Sequence, residues 1–436
     1  MTRLSWAGVA RLGLVQASIG AVVVLMTSTL NRVMVVELGL AAAIPGALVA
    51  LHFAVQMFFR PRLGFWSDAG GRRTPVIRMG MALLGFGGAD AVAAIALVPT
   101  HRTAGLAAAA LAFVIIGLGV SAAGTPLLAL LADRVPAERR GRAAAMVWLM
   151  MIAGFVVTTL VVGRLIEPFS FTRLMVVAIG VSVTAFAVAW VALAGLEGEG
   201  RPAMVMPSAD STSFRYALSR AWQDGATRRF AIFVFVAMLA YSAQDLVLEP
   251  FAGSVFQLTP GQSTRITSVH QGGMLAGMIV TALLSSRIGT LPRWAAFGCG
   301  ASALAFVALA ASPLAGTVTA LRASVLALGV ANGTFAIGAI GSMMVRARGG
   351  QAGLRMGVFG AAQAVAYAVG SFIGAAGSDI GRRISGSDAR GYMAVFAVEA
   401  VLFLVAASLA WGPGAPKREA LLDARDGGDA FMASLA

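Results

Sequence analysis

The chain has 436 residues, of which 58% are hydrophobic and only 12% charged, with a mean hydropathy of +0.84. Soluble domains run at roughly 45–50% apolar and 25% charged residues, so a water-soluble globule is excluded. The length is better counted in membrane spans of about 20 residues each, and twelve fit. A formal charge of +14 does not call for nucleic acid, because polytopic membrane proteins collect cations in short cytoplasmic loops. No basic-aromatic nucleic-acid module is present, and Lys417 is the only lysine, an arginine bias of the kind a GC-rich genome produces. Cys299 is the single cysteine, which excludes an intramolecular disulfide, a CxxC redox pair and a cysteine zinc site.

In chain order, Arg3 and Arg11 precede an apolar run that continues to about Leu40 without a small-residue cleavage site, so the first span is expected to be retained. Breaks at Arg, Pro and Gly-polar clusters predict six spans near 12–36, 42–60, 75–98, 104–131, 143–165 and 173–195. A second six follow near 229–251, 263–286, 293–313, 318–345, 354–378 and 391–411. The predicted organisation is an N-terminal six-helix half over 1–195, a cytoplasmic linker over 196–228, a C-terminal half over 229–412 and a cytoplasmic tail over 413–436. Within the linker, Phe214, Leu218 and Trp222 recur at i, i+4, i+8, which reads either as a helix lying on the membrane or as a solvated linker helix. With both termini inside, the cytoplasmic segments hold 24 of the 33 basic residues, the asymmetry that orients a bacterial inner-membrane protein. The exception is the outer loop carrying Arg382, Arg383 and Arg390.

The loop after span two reads Gly64-Phe-Trp-Ser-Asp68-Ala-Gly-Gly71-Arg72-Arg73. Glycines allow a tight turn there, and a carboxylate beside arginines can lock neighbouring helix ends. Asp133-Arg-Val-Pro-Ala-Glu-Arg139-Arg-Gly-Arg142 follows span four. Together, on a 6+6 layout, the two loops resemble the signature loops of the major facilitator superfamily. That resemblance implies an all-α integral membrane protein with twelve transmembrane helices in two six-helix halves. Tight turns with solvated arginines are the alternative. Ala69 stands where members usually carry a basic residue, and the matching second-half loop, Ser285 to Arg293, has no acidic residue, so the gating lock is expected on one side.

Ionisable groups inside spans are costly and are functional candidates by default. Asp245 and Glu249 share one face of span seven at i, i+4, followed by Pro250. Counting 1.5 Å per residue puts Asp90, Glu399 and His270 in the outer half and His52 near mid-membrane. Asp245 or Asp90 suits a proton carrier, with helix packing as the other reading of each acid. His52 and His270 offer neutral imidazoles, either as axial ligands of a metal such as the magnesium of a chlorin or as packing residues. HExxH, zinc spacing, P-loop and GxSxG patterns are absent from the sequence, so no enzymatic catalysis is expected.

Several stretches resemble one branch of that superfamily: His52-Phe-Ala-Val-Gln56 running into Arg60-Pro61-Arg62, Gln244-Asp245-Leu-Val-Leu-Glu249-Pro250, Gly329-Val-Ala-Asn332-Gly333, and Gly357-Val-Phe-Gly360-Ala-Ala-Gln363. These are similar to the PucC/LhaA family, which helps build light-harvesting complexes, and the likeness covers nearly the whole chain. The Arg-Pro and Gly-Gly-Arg-Arg form of the first loop is closer to the branch associated with bacteriochlorophyll synthesis genes. The resemblance implies bacteriochlorophyll as cargo, with the lipid bilayer, antenna polypeptides or pigment-synthesis enzymes as partners. It implies a polar site drawn from Gln244, Asp245, Glu249, His52, His270, Gln56, Asn332 and Gln363. Met and Phe are abundant enough to line an apolar groove and are equally the packing of any membrane bundle. A proton-coupled exporter of an amphipathic small molecule, and a pigment-free scaffold, are the competing functions.

Overall fold

A computed structural model describes residues 4–69, 73–135, 139–197, 223, 225–285, 287–346 and 352–411. Among the described residues there are twelve long helices and no strand. They are α1 (Trp6–Val24, prolonged by π-helical turns Leu25–Leu30 and Val33–Glu37), α2 (Ala43–Ala69), α3 (Thr74–Leu97), α4 (Arg102–Arg134), α5 (Arg140–Leu165) and α6 (Phe171–Leu193). There follow α7 (Gly225–Phe256), α8 (Pro260–Ser285), α9 (Leu291–Ala315), α10 (Val318–Arg346), α11 (Ala352–Ser385) and α12 (Asp388–Trp411). Long apolar runs become helices because only internal hydrogen bonds can satisfy a backbone in lipid. Local signals set the ends. Ser5 and Ser170 accept amide hydrogen bonds at the starts of α1 and α6, and Pro292 and Pro75 occupy first-turn positions of α9 and α3. Gly316 closes α9 in the left-handed conformation, φ 63°, which a side chain would strain.

Among the described residues, eleven stretches on these helices are long and apolar enough to cross a membrane. The helix α2 runs to Ala69, beyond the expected end at Arg60, since a helix need not stop where the first charges interrupt an apolar run. The Gly64–Asp68 segment is therefore helix, not turn. Gly71, Arg72 and the expected surface helix at Phe214, Leu218 and Trp222 lie outside the described residues, as do the side chains of Asp68 and Asp133.

The chain forms two compact units, Met1–Pro207 with Asp245–Ser268, and Ser208–Gln244 with Val269–Ala436. In the first, α3 packs on α4 and α6, α1 on α5 and α6, and α2 on α4. In the second, α9 packs on α10 and α12, and α11 on α12. A shift of six helices carries α3–α4 onto α9–α10 and α3–α6 onto α9–α12, the mark of an internal repeat. Close helix approach recurs too. A Cβ at Gly117 on α4 would lie 2.8 Å from the His52 carbonyl on α2, and one at Gly329 on α10 would collide with the His270 carbonyl on α8. Lipid is as apolar as a core, so contact rather than water exclusion holds such helices together. Phe306, Phe335 and Phe403 supply contact in the second unit, with ring centroids 5.8 Å and 6.0 Å apart. Leu304, Val191 and Phe297 face outward at 73%, 71% and 62% exposure, as lipid contact requires.

Candidate functional site

In the first unit, helix α1 loses its regular period at Leu25, where a π-helical turn begins. Such turns are frequent at functional sites, and this one carries Ser28 and Thr29, with Asn31 and Arg32 just after it. Asn31 Nδ2 donates to the Leu246 carbonyl of α7 at 2.7 Å, and Arg32 Nη2 to the Leu258 carbonyl at 2.6 Å. The Arg32 guanidinium is also paired with Glu37. It lies against Gly253 of α7, where a Cβ would come within 3.0 Å of Nε. Glu249, 1% exposed, accepts from Ser28 and Thr267 at Oε1 and from Thr264 at Oε2, the last at 3.3 Å. Asp245, one turn earlier, is half-buried and has no hydrogen-bond or ion-pair partner among the described residues.

The second unit holds a closed polar network. Asn332 on α10 donates to Gln244 Oε1 of α7 at 3.0 Å, lies 3.1 Å from His270 Nε2 of α8, and accepts from Ser302 of α9 at 2.9 Å. Gln244 Nε2 is 3.2 Å from the same imidazole nitrogen. All four side chains are at most 2% exposed. Two amide groups facing His270 Nε2 fix that nitrogen as an acceptor and put the ring proton on Nδ1.

His52 is held differently. Its Nε2 is 2.6 Å from Gln56 Nε2, and Gln56 Oε1 accepts from Arg60, so the three form a line along one face of α2. Since the guanidinium can only donate, the Gln56 oxygen faces Arg60 and its NH2 faces His52. In both histidines the Nε2 lone pair is already engaged by an amide, and an axial bond to a magnesium there needs that amide displaced.

Of the expected polar set, then, Gln244, His270 and Asn332 come together, His52 and Gln56 form a second group, and Glu249 belongs to a third. Gln244 and Glu249 are five residues apart, about 140° around a helix, which is why one helix serves both groups. Asp90 and Gln363 are half-buried with no hydrogen-bond or ion-pair partner among the described residues, and Glu399 is buried on α12. Sequence reading missed Ser28, Thr29, Thr264 and Thr267; the available signal was Arg32, a charge inside the first span. It also missed Glu197, whose two carboxylate oxygens accept from the backbone amides of Arg73 at 2.6 Å and Thr74 at 2.8 Å, capping α3. Arg134 of the second signature loop donates to the Glu197 carbonyl. Both loops of the first unit are thus tied to the start of the linker, while Arg139 stands exposed and Arg142 half-buried. Arg382 is paired with Asp379 at 3.1 Å and Asp388 at 3.7 Å.

A family model described as PUCC protein matches residues 29–412. The chain is 43% identical to the "Bacteriochlorophyll synthase 44.5 kDa chain" of Rhodobacter capsulatus, over 94% of this chain and 96% of that one. It is 31% identical to a "Protein PucC" of the same organism, covering 92% of this chain and 90% of that one. Among solved structures, a D-xylose-proton symporter aligns with a TM-score of 0.72 at 14% identity, over 95% of this chain and 99% of that one. A nucleoside transporter aligns at 0.69 and 16% identity, over 92% and 98%. The fold is that of major-facilitator transporters, in a multi-pass membrane protein that contacts lipid.

Proposed function

The chain belongs to the PUCC protein family, and from that premise we propose that it is a membrane-embedded assembly factor that binds bacteriochlorophyll and hands it to light-harvesting or other photosynthetic complexes. The carrying observation is chemical: the side chains bonded to the two imidazoles are amides, Gln244 and Asn332 at His270 and Gln56 at His52, with the Ser302 hydroxyl and the Arg60 guanidinium one bond further out. Neutral donors and acceptors suit the keto and ester oxygens of a chlorin and, on exchange of an amide, its magnesium, while apolar helices suit the macrocycle and its tail. The names of the relatives support the reading. The role is non-enzymatic, a transfer between membrane-embedded partners such as antenna polypeptides or pigment-synthesis enzymes. The distribution of basic residues supports the bacterial inner membrane with both termini cytoplasmic.

One observation favours a second reading. Asp245 is a half-buried carboxylate on a spanning helix without a bonded partner among the described residues, as a proton-coupled exporter of an amphipathic molecule requires. The experiment is purification in mild detergent from a phototroph making bacteriochlorophyll, with absorption spectra of wild type, His52→Ala, His270→Ala and Asp245→Asn. Near-stoichiometric pigment, reduced by a histidine substitution, supports carriage. Colourless protein from pigmented membranes refutes it, and proton-linked export abolished by Asp245→Asn then supports the second reading.

A further inference from the structure

Three helical segments of the first unit deliver oxygen atoms to one buried point. Ser28 and Thr29 come from the π-helical turn after α1, Glu249 from α7, and Thr264 and Thr267 from α8; all five are at most 8% exposed. Ser28 Oγ and Thr267 Oγ1 both lie against Glu249 Oε1 and are 3.1 Å from each other. Thr264 Oγ1 is 3.3 Å from Glu249 Oε2 and 3.1 Å from Thr29 Oγ1. We propose that Glu249 and these hydroxyls form a binding site for a monovalent, sodium-sized cation.

Three arguments converge on that ligand. First, the donor set is all oxygen, one carboxylate and four hydroxyls, which is what a hard cation takes; nitrogen and sulfur donors are missing from it. A single carboxylate among neutral oxygens matches one positive charge, whereas divalent ions gather several. Second, the spacing is right. Adjacent ligands of an octahedral site with bonds of about 2.4 Å are about 3.4 Å apart, close to the 3.1 Å and 3.3 Å separations at three of the pairs; Ser28 and Thr267 sit closer to Glu249 Oε1 and draw back when their protons turn outward. Hydroxyl protons rotate freely, so the same oxygens that now donate can turn lone pairs inward.

Third, Glu249 has no cation bonded to it among the described residues. The neighbouring guanidinium, Arg32, is bonded instead to Glu37 and to the Leu258 carbonyl. Arg32 acts on Glu249 through space, yet the bonded partners of Glu249 are hydroxyls. A buried carboxylate without a bonded counter-charge is costly in a membrane, and a bound cation removes that cost. The π-helical turn has a local role as well: it places two consecutive hydroxyls, Ser28 and Thr29, toward the same cluster. The site is independent of what the protein carries, so pigment carriage and cation binding succeed or fail separately.

The test uses the purified full-length protein at constant ionic strength and at each of several pH values, with its thermal midpoint followed in sodium, lithium, potassium and choline chlorides. Sodium should raise the midpoint with the logarithm of its concentration, by about 5–10 °C at a hundredfold excess over Kd, with choline inert. Equilibrium binding of radioactive sodium should give one site per chain. Thr264→Val and Thr267→Val each remove one ligand and keep the carboxylate; either should weaken sodium binding at least tenfold in a protein that still elutes as a single species. Ser121→Ala deletes a buried hydroxyl bonded to the Gly117 carbonyl, outside the set, and should bind sodium normally. Equal midpoints in sodium and choline, a response to pH alone, or unchanged binding in both threonine variants overturns the proposal. A response to pH alone assigns Glu249 to a proton instead.

Discussion

Replacing Asn332 with alanine removes the one side chain that joins α7, α8 and α9 through α10. Three contacts of 2.9–3.1 Å are lost, to Ser302, Gln244 and His270. Hydrogen bonds between membrane helices average about 0.6 kcal/mol and reach 1–2 kcal/mol, so the three together are worth about 2 kcal/mol. The Gln244–His270 contact at 3.2 Å survives, but the Ser302 hydroxyl loses its interhelix partner in a buried place, and truncation leaves a void; the total loss is about 2–4 kcal/mol. Cys299 provides the assay. It is fully buried one turn before Ser302 on α9, and it is the only thiol, so a thiol-reactive dye reports opening of this region. At about 2–4 °C per kcal/mol, the labelling midpoint should fall by about 4–16 °C. The Asn332→Ala, Ser302→Ala double variant should lose less than the sum of the singles. A midpoint within about 1 °C of wild type, or strict additivity, would refute the idea that Asn332 organises the network.

Other consequences are as direct. Glu197→Ala strips the cap from two amides of α3 and should cost about 1–2 kcal/mol, read as a lower thermal midpoint and faster proteolysis at the α2–α3 loop, with Glu197→Gln recovering part. Gly329→Val puts branched carbons against the His270 carbonyl and should cost about 1–3 kcal/mol, whereas valine at Gly180, where a Cβ meets nothing within 4 Å, should be nearly neutral; monodispersity and thermal midpoint compare the two.

Much of this was legible in the sequence because membrane chemistry leaves few options. Apolar runs had to be helices, and the two signature loops identified the fold; the structure supplies all twelve helices at nearly the expected places. Polar residues inside those runs stood out individually. Their grouping did not, because it depends on angle and on partners far along the chain. Gln244 and Glu249 looked like one site when read as a motif, and helical geometry sends them to different clusters. Ser28, Thr29, Thr264 and Thr267 carry no charge and break no hydropathy window, so only their convergence on Glu249 reveals them. Glu197 looked like one charge in a polar linker, and its role as a cap appears only when the chain returns to α3 after 124 residues.

The internal repeat makes one further contrast testable. His52 and His270 occupy matching places, each on the second helix of its half with its carbonyl facing a glycine of the fourth helix. The geometry is shared but the bonding is not. His270 is gripped by amides from two other helices, so its network is a clamp between helices. His52 is bonded along its own helix to Gln56 and through it to Arg60, so those contacts tie no helices together. A clamp and a line of this kind differ in what their loss does. Gln56→Leu should cost about 1 kcal/mol, the worth of one buried hydrogen bond partner, less than half the loss in Asn332→Ala. It leaves the His52 imidazole free of its amide, so a pigment magnesium meets an open nitrogen, and pigment occupancy should rise at this position. An equal stability loss in the two variants would show that α2 relies on its polar line as the second unit relies on its clamp; pigment content unchanged at equal protein would remove His52 from the cargo site.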